Sequence, residues 1–398
     1  MLIILSKPKL WTKDFIISTC VNLFTYIVFY TLIVIVVDYA RLSFQASPSQ
    51  AGMATGIFVI AALFGRLFAG RLLAVWGTKT MLYSGIILFF LAMLTYFIAD
   101  SLFVFNTIRF IHGIGFAFAS TATSTAVAGI IPKERRGEGI GYYGLSISIA
   151  AAIGPFIGMY ISQNGSYHLI MVFCSVLAAA NCLLMFLLKI PVVHVSAETL
   201  AEMKAFKLSN FIEYKVLPIS LVGLLIGLSY SAVIGFLSSY AKDIGLMQVG
   251  SFFFVVYALC SLSVRPITGP LIDSRGENFV MYPCFLLFAV GLIALSQSYT
   301  ATVLLISSAL IGFGYGSFIP SVQTIAIKLV PAYRIGLATS TLFAIVDAGV
   351  GIGPFMIGYM LPWVGYRSMY ISMAALVVIS TVVYYLLHGK KDHILIVE

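Results

Sequence analysis

Twelve apolar runs of roughly twenty residues, separated by short polar joints, recur from one end of the 398-residue chain to the other. A run of that length and character spans a bilayer, where no water is at hand to satisfy backbone N–H and C=O groups, so each must close its own hydrogen bonds as a helix. The spans are read as 14–38, 50–73, 80–99, 103–131, 139–162, 167–188, 216–239, 249–272, 279–297, 301–329, 335–361 and 367–388. With 61% hydrophobic and 9% charged residues, far from the quarter charged of ordinary soluble domains, this is an all-α multi-pass membrane protein. The opening MLIILSKPKLW is too short for a signal sequence and has no small-residue cleavage site, so the first span is expected to stay uncleaved.

The net charge of +9 does not call for a nucleic-acid partner. With the N-terminus placed in the cytoplasm, seventeen of the 23 Lys and Arg fall on that side, three outside (Arg41, Lys242, Arg367) and three within spans (Arg66, Arg109, Arg265). That asymmetry predicts both termini cytoplasmic, in a cell membrane. The five cysteines lie in apolar spans without metal-ligand spacing and read as packing residues. No zinc-protease, P-loop or dinucleotide fingerprint is present, so neither an enzyme nor an ATP-driven pump is expected, and no cofactor or metal.

The chain is internally duplicated. Arg66, Gly70 and Gly77 match Arg265, Gly269 and Gly276; Gly113 and Gly115 match Gly312 and Gly314; Pro132, Arg135 and Gly137 match Pro331, Arg334 and Gly336; and GPF at 154–156 matches GPF at 353–355. Every pair is separated by 199, half the chain length. An even number of spans per half gives copies of like orientation. The expected organisation is a six-helix bundle over 1–189, a cytoplasmic linker over 190–215 with a short helix in AETLAEMKAF, and a second bundle over 216–398.

On this frame four motifs stand in order: GRLLAVWGTK (70–79) and GPLIDSRGEN (269–278) after the second and eighth spans, RFIHGIG (109–115) in the fourth, and AIGPFIG (152–158) in the fifth. Together they resemble the major facilitator superfamily over essentially the whole chain. The resemblance implies a fold of two pseudo-symmetric bundles that rock about a central small-molecule site, and no channel. It also implies that Gly70, Gly77, Gly269, Asp273, Arg275 and Gly276 belong to latching loops. The first copy departs from the pattern, with Ala74 and Val75 in the places of the acid and base. A one-sided latch is therefore expected, Asp273 facing the start of the fifth span and the pair Arg135 and Arg136, where a helix N-terminus favours a carboxylate. The alternative is a turn with a solvated Asp273. Gly154–Pro155 and Gly353–Pro354 are expected to bend their helices and allow close packing. The first resembles the signature of proton-exchanging exporters, with Met159 where a second glycine is common.

Candidate proton-coupling residues are Asp347, Arg109 and His112. Arg109 and His112 share a face of the fourth span, and an intramembrane Arg belongs against a cavity or partner; the resemblance implies a central place for Arg109. His112 reads equally as a core residue. Asp347 stands about twelve residues, or about 18 Å, into its span, near mid-membrane, whereas Asp38 lies near a span end. A carboxylate screened from water accepts a proton more readily than an exposed one. Asp347 is thus expected to be the coupling acid; a fixed ion pair with an intramembrane base and a solvated cavity wall are the alternatives. Asn22, Tyr26, Tyr30, Tyr230, Tyr257, Tyr315 and Gln323 are candidate substrate contacts, since rings with a few polar groups suit an amphipathic molecule, although Tyr stripes also fill cores. If an intramembrane Arg faces the cavity, a carboxylate-bearing molecule is favoured over a lipophilic cation.

The chain is similar to bacterial drug/proton antiporters, with opine metallophore exporters fitting the charge balance. The expected function is export of a small amphipathic molecule by proton antiport, as a monomer with substrate, protons and lipid as its partners. A proton-independent importer or facilitator, or a non-transporting sensor, remains open.

Overall fold

In the computed structural model, residues 8–46, 48–164, 166–191 and 207–391 are described; the expected linker helix lies outside them. Twelve helices are long and apolar enough to cross a membrane, and the described residues contain no strand. The first half carries α1 (Lys13–Phe44), α2 (Pro48–Trp76), α3 (Thr78–Thr95), α4 (Leu102–Ile130), α5 (Arg136–Asn164) and α6 (Tyr167–Phe186). The second carries α7 (Leu217–Asp243), α8 (Met247–Arg275), α9 (Asn278–Ser296) and α10 (Ala301–Lys328), then a stretch over Ile335–Leu387 broken at Gly365. The break divides this stretch into α11 (335–364) and α12 (366–387), and its φ of 71° is one that glycine adopts without strain.

Short polar side chains start the helices. The N–H groups of Phe15, Val104, Leu169 and Val303 donate to the hydroxyls of Thr12, Ser101, Ser166 and Thr300, which cap α1, α4, α6 and α10. In both copies the joint after the latching motif is a glycine of positive φ, Gly77 at 80° and Gly276 at 84°, which turns the chain into the next helix.

Packing follows the duplication. One apolar core is drawn wholly from residues between Val216 and Tyr384, two from residues between Ile17 and Leu188, and a fourth joins both halves through Leu10, Phe15, Tyr143, Ile327 and Ile335. Glycine lets helices touch within each half. A Cβ on Gly115 would stand 2.8 Å from Phe89 N, and one on its counterpart Gly314 would stand 2.6 Å from Phe288 N. Gly154 packs against Tyr30 and Ile27 of α1, and Thr31 Oγ1 donates to Gly154 O at 3.1 Å. Gly353 packs against Ser231 of α7. These Gly–Pro sites thus pack against helices of their own half, α1 and α7, and α5 runs on as a helix through Pro155. The side chain of Pro354 lies outside the described residues.

The halves meet along two seams, α5 on α8 and α2 on α11. At the end that bears the termini, the α5–α8 seam is held by Asp273. Its Oδ1 accepts from Gly137 N at 2.9 Å and its Oδ2 from Glu138 N at 3.0 Å, so both carboxylate oxygens cap the N-terminus of α5. Gly269 permits this approach, since a Cβ there would lie 2.7 Å from Glu138 Cα. Lys328 Nζ stands 3.8 Å from both Asp273 and Glu277. Arg135 departs from the expected latch: its guanidinium forks onto Glu138 with two 2.7 Å bonds and donates to Pro8 O, a carboxylate three residues along its own helix being the nearer partner. Arg136 lies within the field of Asp273, and Arg275 turns away to stack over Phe279 at 4.9 Å. The equivalent place on the α2–α11 seam has no acid. There Gly70 N donates to Ser340 Oγ at 3.1 Å, Ser340 donates to Arg66 O, and Leu73 fills the space beside Gly336.

Two predictions follow from this packing. Gly115→Ala and Gly314→Ala press a methyl onto backbone atoms that cannot turn aside, costing about 1–3 kcal/mol each; a lower Tm of the purified chain in detergent is expected, with Gly129→Ala, which meets nothing within 4 Å, unchanged. Asp273→Asn removes a charge-assisted cap worth about 1.5–3 kcal/mol. Spin labels at Lys79 and Arg275, one on each half, are expected to report a population at longer separation; an unchanged distance distribution refutes the latch.

Candidate functional site

A charge pair lies within the membrane-spanning part of the α2–α11 seam. Arg66 on α2 belongs to the first half, Asp347 on α11 to the second, and Arg66 Nε lies 2.7 Å from Asp347 Oδ2. The guanidinium is 2% exposed, shielded by the rings of Phe343 at 5.1 Å and Phe116 at 5.7 Å, with the Tyr26 hydroxyl against it. The carboxylate is 36% exposed although it stands three turns into α11. The Gly70–Ser340 contact and the Asp273 cap both lie nearer the terminus-bearing end than this pair.

The Asp347 expectation thus meets one of its own alternatives: the acid is ion-paired with an intramembrane base. The pair crosses from one half to the other, so it holds only while α2 and α11 stay together. Sequence reading placed Arg66 in the membrane without a partner. Hydropathy gives the depth of a residue and not the helix it faces.

Two more polar contacts cross the interface nearby. Ser148 Oγ and Ser261 Oγ are 3.2 Å apart on the α5–α8 seam. Gln323 Nε2 donates to Ser124 Oγ at 2.6 Å, joining α10 to α4. Gln323 and Ser124 are themselves 199 apart, and two copies of one position can touch only beside the axis that relates the halves. That contact marks the centre of the interface.

The aromatic candidates fall into two groups around this centre. Tyr230 and Tyr315 stack at 3.6 Å between ring centroids, with Tyr257 at 5.8 Å from Tyr230. On the other side Tyr26 and Tyr30 lie 6.2 Å apart, and Tyr30 is within electrostatic reach of Asp347, Arg265, Tyr257 and Tyr26, which joins the groups. Asn22 is not with them: its amide donates to Ser146 Oγ at 2.8 Å, tying α1 to α5, and the side chain is buried.

Arg109 and His112 are also elsewhere. Arg109 Nε donates to Ala54 O at 2.9 Å with its guanidinium over Phe58 at 4.5 Å, and His112 Nδ1 lies 3.2 Å from the Tyr96 hydroxyl between Phe58 and Phe89. Both are within the core of the first half, 1% and 0% exposed, and neither touches Asp347. The face they share is turned to α2 and α3, because the glycines beside them bring those helices close. Their side chains serve packing in this arrangement. The side chain of Asp38 lies outside the described residues.

Known proteins carry the same frame. The sequence profile of the Major Facilitator Superfamily matches residues 18–281 and 219–394. An uncharacterized MFS-type transporter of Methanocaldococcus jannaschii is 25% identical over 354 residues, covering 86% of this chain and 89% of that protein. The Staphylopine export protein of Staphylococcus aureus is 22% identical over 350 residues, 86% and 88% of the two chains. Among solved structures, FucP in its outward conformation superposes with a TM-score of 0.76 at 15% identity over 95% of this chain and 99% of its own, and the human organic anion transporter MFSD10 with 0.76 at 15% over 93% and 98%. Twelve duplicated helices, a seam that closes at one end around a paired acid, and a profile match along nearly the whole chain converge: the protein is a transporter and belongs to the Major Facilitator Superfamily.

Proposed function

We propose that the chain is a secondary active transporter that exports a small amphipathic organic molecule, drug-like or carboxylate-bearing, in exchange for protons. The observation that carries this reading is the Arg66–Asp347 pair, because it bridges the two halves and one of its members can be neutralised. While Asp347 is charged, its attraction to Arg66 in low dielectric adds to the contacts that hold α2 against α11. A proton on Asp347 cancels that attraction and leaves the seam to weaker contacts. The groups facing the carboxylate are Arg66, Tyr26, Tyr30 and Tyr315, so Arg66 is the one fixed charge against which it titrates.

The positive-inside asymmetry assigns the closed, terminus-bearing end to the cytoplasm. On that assignment Asp347 is reached from outside. A proton taken up there loosens the α2–α11 seam, the bodies 1–189 and 216–398 rock, and the Asp273 cap is given up as the cytoplasmic end opens. The proton leaves to the cytoplasm and the substrate enters from it; the charged acid then re-pairs with Arg66 and returns the substrate side outward. One proton moves in for each swing that carries substrate out. The export named for the staphylococcal relative supports this direction, as does the Gly154–Pro155 motif.

Asp347→Asn tests the coupling. Everted membrane vesicles are given an imposed pH difference and two amphipathic probes, ethidium as a cation and dansylglycine as a carboxylate. Gradient-driven accumulation is expected to fall by about 5–150-fold, the range of a coupling free energy of about 1–3 kcal/mol, while exchange of probe without a gradient persists. Retained dependence on the pH difference in Asp347→Asn overturns proton coupling and leaves a facilitator in which the pair is a static contact.

A further inference from the structure

We infer that Arg265 is the anchor for a carboxylate of the transported molecule, an inference that rests on the transporter reading above and names its substrate class. The argument comes from comparing one place in the duplicated frame with its copy. The offset of 199 carries Arg66 to Arg265, Asp347 back to Ser148, and Phe343 back to Gly144. In the first place, the guanidinium of Arg66 has an acid at 2.7 Å and the ring of Phe343 over it. In the second, the acid is a serine and the ring is absent.

The geometry around Arg265 bears out the vacancy in charge. Its Nε donates to Gly316 O at 3.0 Å, and its NH1 is buried with no hydrogen-bond partner among the described residues. A Cβ on Gly144 would come within 2.7 Å of that NH1, so any side chain at this position would crowd the guanidinium. Arg265 is 6% exposed and sits on the α5–α8 seam, where no carboxylate among the described residues faces it; Tyr257 and Tyr30 are the polar groups in its field. Ser148, in the place of the acid, is bonded to Ser261 and retains lone pairs.

Arg66 also leaves NH1 without a hydrogen bond, so counting bonds does not separate the two arginines; charge does. Arg66 and Asp347 cancel. Arg265 keeps a full positive charge in an apolar interior, a costly arrangement that a ligand can relieve. A cationic ligand adds repulsion to that cost, and a neutral one leaves it in place. A carboxylate beside NH1 replaces the anion that the duplicated frame supplies at Asp347, and guanidinium–carboxylate pairing is among the stronger hydrogen-bonded interactions. The stacked rings of Tyr230, Tyr257 and Tyr315 then lie beside the apolar body of the same molecule.

The test uses the purified full-length protein in detergent and two probes that differ in one charge, dansylglycine and its carboxamide, dansylglycinamide. The unaltered protein is expected to bind the carboxylate about tenfold or more tightly than the amide. Arg265→Gln removes the anchor. Ser148→Asp supplies the acid that occupies the equivalent place beside Arg66, and so neutralises Arg265 without deleting it. Each is expected to bring the two probes to within about threefold of one another, while Arg265→Lys keeps part of the preference.

A protein that binds dansylglycine no more tightly than the amide overturns the proposal, as does a preference that survives in either Arg265→Gln or Ser148→Asp. Because the measurement needs no gradient, it stands apart from the vesicle assay. If preference is absent while Asp347→Asn abolishes coupling, the carboxylate site falls and the antiporter reading stands. If preference is present and lost in both variants while Asp347→Asn transports unchanged, the site stands and the coupling falls.

Discussion

A carboxylate and a guanidinium 2.7 Å apart, in an apolar interior and on opposite halves of a duplicated chain, constrain everything built around them. Neither group can be left alone in a bilayer without a large cost, and neither half can move without separating them. In the proposed cycle the pair ties the state of one proton site to the arrangement of twelve helices. A fixed ion pair within one half would stabilise a bundle and do nothing else. Placed across the seam, the same two groups become a contact that a proton can switch.

The rest of the interface is arranged so that this contact has few competitors. The cores are apolar and drawn mainly from within each half, so the halves are held to each other by a short series of polar contacts: Asp273 on the start of α5, Ser340 on Gly70 and Arg66, Ser148 on Ser261, and Gln323 on Ser124. Apart from Asp273 and Asp347 these are uncharged pairs, each contributing about 0.5–1.5 kcal/mol. In the proposed cycle, removing one of the two charged contacts leaves that seam to a few weak ones.

Much of the frame was legible in the sequence, for physical reasons. Span number and depth follow from the length of apolar runs, and the 199-residue offset is visible because glycine and proline sites tolerate no substitute where backbones touch, as at Gly115 and Gly314. The target of Asp273 was implied by the family resemblance, in which such a loop acid faces a helix N-terminus of the other half, and Asp273 meets Gly137 N and Glu138 N there. The rotation of each helix was not legible. Arg109 and His112 share a face, and nothing in their spacing says that this face turns to Ala54 and Tyr96 instead of the interface. Nor did spacing show that the amide of Asn22 donates to Ser146. The partner of Asp347 was open to a closer reading, since a mid-membrane Arg at 66 and an acid at 347 each need a counter-charge. What singles out Arg265 is a difference between copies, visible only when the whole chain is folded back on itself at the offset.

Duplication by itself would make the two seams alike, and the chain has made them different. On the α5–α8 seam the acid stands at the end, as Asp273, and the middle holds an arginine facing a serine. On the α2–α11 seam the middle holds the acid, as Asp347, and the end is closed by Ser340 and Leu73. Each seam thus carries one acid, and at a different depth. On the two proposals, proton exchange at Asp347 and carboxylate binding at Arg265, this division keeps the tasks from interfering. A proton arriving at Asp347 acts on the α2–α11 seam alone, while the charge at the middle of the α5–α8 seam stays positive whatever the state of that proton. Were an acid present at both middles, ligand and proton would compete for equivalent sites. With one acid and one unpaired arginine they occupy separate ones, coupled through the single motion that both seams share.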